Sequence, residues 1–246
     1  MTVRRASWRI ATVTALRRES ATSRTLVLDV PDWPGHLAGQ HVDVRLTAED
    51  GYSTQRSYSI AAPWRRTQLE LTVENVRDGE VSPYLTEVVE IGDELELRGP
   101  IGGWFVWSAQ QAEPVLLLAG GSGVVPLMAM VREHADQAST APFRLVYSTR
   151  SAVTAIYRDE LERAAGAVLQ VDWIFTRQAP TAGGRSAGRL SAADLLVDGW
   201  LDVQRPAIYV CGPSGFVESA ATLLIAAGHE PGRIKTERFG PTGDQR

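Results

Sequence analysis

A single cysteine, Cys211, in 246 residues leaves no partner for a disulfide within the chain. It also leaves too few thiolates for an iron–sulfur cluster, which takes four, or two together with two histidines, so any such cluster would sit on a separate protein. The four histidines, His36, His41, His134 and His229, show neither H-x-x-x-H nor Cys/His spacing, and no metal site is expected. Lysine is nearly absent: Lys235 stands alone and every other one of the 25 basic residues is arginine, a compositional bias that weakens arguments from the choice of arginine at any one position. With 29 acidic residues the formal net charge is −4, and no run of five or six like charges occurs, so nucleic acid is not an expected partner. The most apolar stretch, Val115 to Val131, is broken by Gly120, Gly121, Ser122, Gly123 and Pro126 and is too short for a membrane span. The opening MTVRRASWRIATVTALRRES has an arginine pair at Arg4 and Arg5, but Arg9 interrupts it and ATVTAL is shorter than a signal core. It reads as a strand, and the protein as cytoplasmic.

What is present is enough apolar residue, 44%, for one or two ordinary cores. Over the first hundred or so residues, WRIATVTAL, RTLVLDV, HVDVRLT, RSYSI, QLELTVENV and ELELRG are short alternating or β-branched runs separated by turn residues. Six strands at this spacing predict an antiparallel barrel or sandwich. One helical interruption, SPYLTEVVE, follows Asp78 and Gly79, with Ser82 as its N-cap. From about Pro114 the rhythm becomes strand, helix, strand: VLLLAGG, a helix after Gly123, FRLVYST, a helix around Tyr157 to Ala165, VLQVDWIF, a short helix near Ser191 to Leu196, AIYVCGP, a helix from Gly215 to Ala227, and RIKTERF. Continuous apolar strands alternating with helices predict a parallel sheet covered on both faces. The domains are therefore expected at 1–110 and 111–246, with the boundary in WSAQQAE.

Four short segments carry chemistry. Arg56-Ser57-Tyr58-Ser59 combines a guanidinium, an aromatic ring and hydroxyls, and alternation puts Arg56 and Tyr58 on one face with Ser57 and Ser59 on the other. Gly79-Glu80-Val81-Ser82 is a turn into a helix start, where backbone N–H groups can receive an anion or Ser82 can simply cap. Gly120-Gly121-Ser122-Gly123-Val124-Val125-Pro126 follows a buried strand and opens a helix, the context in which glycines let a dinucleotide approach the backbone, although Pro126 stands where G-x-G-x-x-G has its third glycine. Cys211-Gly212-Pro213-Ser214 ends a later strand and turns into a helix on the same sheet edge, and Cys211 reads as a contact residue rather than a nucleophile. Arg150, Arg177 and Arg189 lie at or beyond strand ends, beside the loop from Gln178 to Gly188, where together they could clamp a further phosphate.

Taken in order, these segments resemble the ferredoxin–NADP reductase superfamily, in particular its short flavin reductases without a fused iron–sulfur domain. RSYS resembles the R-x-Y-S flavin motif, GEVS the flavin-pyrophosphate turn, GGSGVVP the nicotinamide-nucleotide loop and CGPSG the second nucleotide loop, over about residues 8 to 240. The resemblance implies a six-stranded Greek-key flavin barrel followed by a Rossmann-like nucleotide domain. It implies that Arg56 binds FAD phosphate, Tyr58 packs on the isoalloxazine, Ser59 bonds near its reactive nitrogen, and Val81 and Ser82 offer amides to the pyrophosphate. Ser148, Arg150, Arg177 and Arg189 match positions that hold the 2′-phosphate in NADP-preferring relatives, which favours NADPH over NADH. Glu237-Arg238-Phe239-Gly240 resembles an E-x-F-G ending whose aromatic residue covers the flavin, though this chain continues six residues further. FMN-using relatives share RSYS, whereas GEVSPYL and SIAAP are more similar to the FAD branch.

The implied function is hydride transfer from NADPH to FAD across the domain cleft, then delivery of electrons to a separate ferredoxin, oxygenase component or other redox protein. Orientation of the two rings would carry the rate. Two alternatives stay open: direct reduction of free flavin or small acceptors, and a non-catalytic nucleotide-binding or redox-sensing module.

Overall fold

A computed structural model of the chain describes residues 7–179, 185–195 and 205–240. The chain divides into two compact units, Met1–Ser108 with Met128–Glu133, and Ala109–Leu127 with His134–Arg246.

The first unit is built on six antiparallel strands, β1 (Trp8–Arg18), β2 (Ser23–Asp29), β3 (His41–Thr47), β4 (Ser53–Ser59), β5 (Gln68–Glu74) and β6 (Glu94–Ile101). Their spatial order is β4-β3-β6-β1-β2-β5, a Greek-key arrangement. The outer strands meet through the Ile60↔Leu71 bridge and an Ala61 N–H donating to Glu70 O at 2.8 Å, which closes the sheet into a barrel. Alternation decides the inside: along β5, Leu69, Leu71 and Val73 are buried while Gln68, Glu70 and Glu74 are not. They join Leu26, Leu28, Val42, Val44, Leu95 and Leu97 in one core, with Val81, Leu85 and Val89 packed into it.

The second unit is a five-stranded parallel sheet: β7 (Val115–Gly120), β8 (Phe143–Ser151), β9 (Leu169–Gln178), β10 (Ala207–Pro213) and β11 (Ile234–Phe239), in the order β11-β10-β7-β8-β9. Every residue of β7 is buried, as a central strand covered on both faces requires. Helices α1 (Val124–Asp136), α2 (Arg158–Ala164), α3 (Ala192–Leu195) and α4 (Ser214–Ala226) connect the strands. The chain moves outward from β7 through β8 to β9, then restarts on the other side with β10. That reversal is the switch point at which doubly wound sheets bind ligands.

One local expectation is corrected. The helix of the barrel unit is a single five-residue π turn, Tyr84–Val88, and Ser82 does not cap it. The Ser82 hydroxyl accepts instead from the Val76 N–H at 3.1 Å, closing the preceding turn. The helix expected around Tyr157 to Ala165 is α2, with left-handed Tyr157, at φ 60°, just before its first residue. Arg4, Arg5, residues 180–184 of the predicted loop, and Leu196 lie outside the described residues. No described helix is long and apolar enough to cross a membrane.

Candidate functional site

In the barrel unit the chemistry gathers on β4. This strand pairs with β3 so that Arg56 faces Val44 and Tyr58 faces Val42, while Ser57 faces Asp43 and Ser59 faces His41. Val42 and Val44 are fully buried, so Arg56 and Tyr58 lie on the side of the strand that carries the core. Tyr58 is half-buried against that core, and burial raises its phenol pKa, with Arg56 pulling the other way. Arg56 sits at the wet end. Its Nη1 donates to Gln55 O at 2.7 Å and Thr54 Oγ1 at 3.3 Å, and its Nη2 lies 3.8 Å from Glu80 Oε2.

On the opposite face, Ser57 Oγ donates to Asp43 Oδ1 at 2.6 Å and Arg98 Nη2 donates to Asp43 Oδ2 at 2.6 Å. Burial pushes the Asp43 carboxyl up, but the Ser57 and Arg98 hydrogen bonds and the Arg98 charge outweigh it, leaving the group below its ordinary value. The Ser57 hydroxyl is thus engaged in holding the strand. Ser59 differs: it is buried, and its Oγ has no hydrogen-bond partner among the described residues. A buried hydroxyl left unpaired costs about 1–3 kcal/mol, which a polar ligand atom would recover.

The Gly79–Ser82 turn lies beside this strand. Gly79 N–H donates to Val76 O at 2.9 Å, Val81 is fully buried, and Glu80 reaches back to β4. Glu80 accepts from Tyr52 Oη and Thr54 Oγ1, each at 3.1 Å, and the first contact raises the Tyr52 phenol pKa. The sequence reading quotes Glu80 within its motif but gives it no role; Tyr52, Thr54 and Asp43 it does not single out at all.

In the second unit the two glycine segments stand on adjacent strands. Ala119 at the end of β7 is level with Cys211 near the end of β10. A tight 3-10 turn, Gly121–Gly123, joins β7 to α1, with Gly121 at φ +54°. A Cβ on Gly123 would fall 2.1 Å from Cys211 O, and one on Gly120 would fall 2.6 Å from the Phe216 ring. Only glycine lets the GGSG turn and the CGPSG turn lie this close, and Phe216, which sequence reasoning passes over, fills the space between them. Val124 opens α1 and is fully buried, with Pro126 in its first turn. Gly212 is at φ +156° and Pro213 precedes α4.

Cys211 meets the first loop through its carbonyl. Its thiol is fully buried, and burial followed by the charge of Glu237 pushes its pKa well up, against the thiolate form. Glu237 is level with Cys211 and half-buried Phe239 is level with Pro213, on β11. Of the four 2′-phosphate candidates, Ser148 is buried and level with Gly120. Arg150 and Arg177 are exposed at the ends of the neighbouring strands β8 and β9, and Arg189 is exposed in the segment before α3. That segment is tied down by Arg185, which pairs with Asp194 and donates to the carbonyl of Arg189 at 2.5 Å. Among the described residues no group of His, Cys, Asp or Glu is placed to hold a metal ion.

Comparison with known proteins places both units. The family model of the oxidoreductase FAD-binding domain matches residues 11–106, and that of the oxidoreductase NAD-binding domain matches residues 117–222. Among curated proteins the chain is similar to the glycine betaine monooxygenase reductase subunit of Chromohalobacter salexigens, 31% identical over 211 residues, covering 83% of this chain and 56% of that protein. It is also similar to the toluate 1,2-dioxygenase electron transfer component of Pseudomonas putida, 26% identical over 203 residues, covering 82% and 58% respectively. The chain spans a little over half the length of these relatives. Among solved structures, the FAD/NAD-binding domain of nitric oxide dioxygenase from Vibrio cholerae superposes with a TM-score of 0.84 at 25% identity, covering 95% of this chain and 99% of that one.

Proposed function

We propose that this chain, which belongs to the ferredoxin–NADP reductase superfamily and is an NAD(P)H-dependent flavin oxidoreductase, takes its electrons from NADPH, holds FAD on the β4 strand, and passes the electrons to a separate redox protein. The observation that carries the reading is the buried Oγ of Ser59, one residue beyond Tyr58 on β4, which has no hydrogen-bond partner among the described residues.

In this reading Arg56 holds a flavin phosphate through its Nη2, the amides of Val81 and Ser82 assist, Tyr58 packs on the isoalloxazine, and Ser59 hydrogen-bonds at its reactive edge. Asp43 and Arg98 act indirectly by fixing Ser57, and so the strand, in place. When bound, FAD supplies the chemistry that accepts a hydride and releases electrons singly. The paired glycine turns at the switch point, with Gly120, Gly121, Gly123, Gly212 and Pro213, receive the nicotinamide dinucleotide, and the amides opening α1 face its charge. Ser148, Arg150, Arg177 and Arg189 take the 2′-phosphate that distinguishes NADPH. Phe239, at the end of β11, holds the position that the family resemblance gives to the aromatic residue covering the flavin. Cys211 and Glu237 shape this edge of the sheet without exchanging covalent bonds.

The named relatives are an electron transfer component and a reductase subunit, and this supports a protein acceptor over a small molecule. The test is NADPH oxidation by the FAD-loaded protein with and without an added [2Fe–2S] ferredoxin. Turnover that depends on the ferredoxin supports the reading. Equal turnover on free flavin alone would make the chain a small-acceptor reductase.

A further inference from the structure

One acidic side chain stands among the residues read as the flavin-phosphate site. Glu80 is held by two hydrogen bonds, Tyr52 Oη donating to its Oε1 at 3.1 Å and Thr54 Oγ1 donating to its Oε2 at 3.1 Å, and Arg56 Nη2 approaches the second oxygen at 3.8 Å. The first two contacts hold the carboxylate although about half of its surface is exposed, at 52%. The third is beyond hydrogen-bond range, so the second arm of the Arg56 fork is not saturated by Glu80. A phosphate oxygen that takes this arm arrives next to a fixed negative charge.

Phosphates differ in how much charge they bring to such a place. A phosphate monoester has a second ionisation near pH 6 and carries about −1.5 to −2 at neutral pH. Each phosphate of a pyrophosphate diester carries one charge. FMN ends in the first kind and FAD contains the second, so at the phosphate that meets Arg56, FMN brings up to one further unit of charge against Glu80.

We propose that Glu80 selects FAD over FMN, its carboxylate beside Arg56 repelling a dianionic terminal phosphate while tolerating a singly charged pyrophosphate oxygen. This rests on the reading of Arg56 and the Gly79–Ser82 turn as the flavin-phosphate site. At a separation of a few ångströms near water, removing one such repulsion is worth roughly three- to tenfold in affinity. Salt weakens it further.

The experiment measures FAD and FMN dissociation constants, by quenching of flavin fluorescence, for the wild-type protein, Glu80→Gln and Glu80→Ala. Glutamine keeps an acceptor oxygen for one of the two hydroxyls and offers its NH2 as a donor to the other, so the turn is retained without the charge. Alanine removes both acceptor and charge. The expected result is that both substitutions narrow the FAD-to-FMN preference by roughly three- to tenfold, chiefly by tightening FMN, and that high salt narrows the wild-type preference in the same direction. Loss of local structure would weaken both flavins together, so an unchanged ratio in both variants overturns the proposal. Failure of the wild-type protein to bind either flavin overturns instead the reading of the site on which it stands.

Discussion

Arg56 Nη2 on strand β4 and Glu80 Oε2 in the Gly79–Ser82 turn lie 3.8 Å apart, joining two segments separated by more than twenty residues of sequence. The same arginine is anchored at Nη1 by its neighbours Thr54 and Gln55. One arm of the guanidinium is therefore fixed, and the other, which makes no hydrogen bond to Glu80, is the one assigned to the flavin phosphate in the proposed function.

Arg56→Ala removes that arm. Flavin affinity is expected to fall by about 1.5 kcal/mol, roughly tenfold, at the low end for a charge-assisted hydrogen bond because the side chain is half exposed. Fluorescence titration with FAD reads it. Unchanged affinity would remove Arg56 from the site.

Ser59→Ala separates ligand contact from packing. The hydroxyl has no partner among the described residues, so without flavin the variant is expected to unfold at the same denaturant concentration as wild type or a slightly higher one. With flavin loaded, reduction by NADPH should slow by up to roughly tenfold, the net value of one hydrogen bond. A clear loss of stability in the flavin-free protein would mean that the hydroxyl serves the fold.

Gly123→Ala forces a methyl to within 2.1 Å of Cys211 O and 2.4 Å of its carbonyl carbon, both backbone atoms. Overpacking of this kind costs about 1–3 kcal/mol. Calorimetry should show a lower melting temperature for the nucleotide unit, and titration a loss of coenzyme affinity with flavin affinity kept. Wild-type coenzyme affinity in this variant would show that the two turns can part without consequence.

Asp43 gives a pH signature. Its folded pKa lies below the ordinary 3.8, so it contributes stability that is fully present above that value and is lost as pH falls through the folded value. Asp43→Asn should cost about 1–3 kcal/mol at neutral pH by weakening the contacts with Arg98 and Ser57. It should also flatten the decline in urea midpoint at acid pH. An equal acid decline in both proteins would place the linkage on other groups.

Much of the architecture is legible because it follows from period. The 2-residue alternation of Leu69, Leu71 and Val73 and the unbroken run of β7 each announce their strands and the kind of sheet they enter. The glycines of both nucleotide turns are equally legible, since the chain has few reasons to place them between a buried strand and a helix. What sequence does not show is which distant side chains meet. Asp43 reaches Ser57 only through the β3–β4 register and Arg98 only through β6, and nothing local to Glu80 tells that it faces Tyr52, Thr54 and Arg56. Ser82 is misread for a related reason: a serine before a helix is a good cap, but here the Val76 N–H competes for the same oxygen and takes it.

The proposed preference for NADPH draws on Arg150 and Arg177, exposed at the ends of β8 and β9. Arg150→Ala is expected to raise the NADPH Michaelis constant by roughly tenfold or more, the value of a charge-assisted phosphate contact, and to leave that for NADH nearly unchanged. Equal effects on both coenzymes would refute a 2′-phosphate role.

Anaerobic mixing of the FAD-loaded protein with one equivalent of NADPH or NADH, followed through the bleaching of the yellow flavin band, tests the account at its centre. The predicted result is rapid, complete bleaching by NADPH and markedly slower bleaching by NADH. A protein that retains no FAD, or that keeps its colour with both coenzymes, would contradict it.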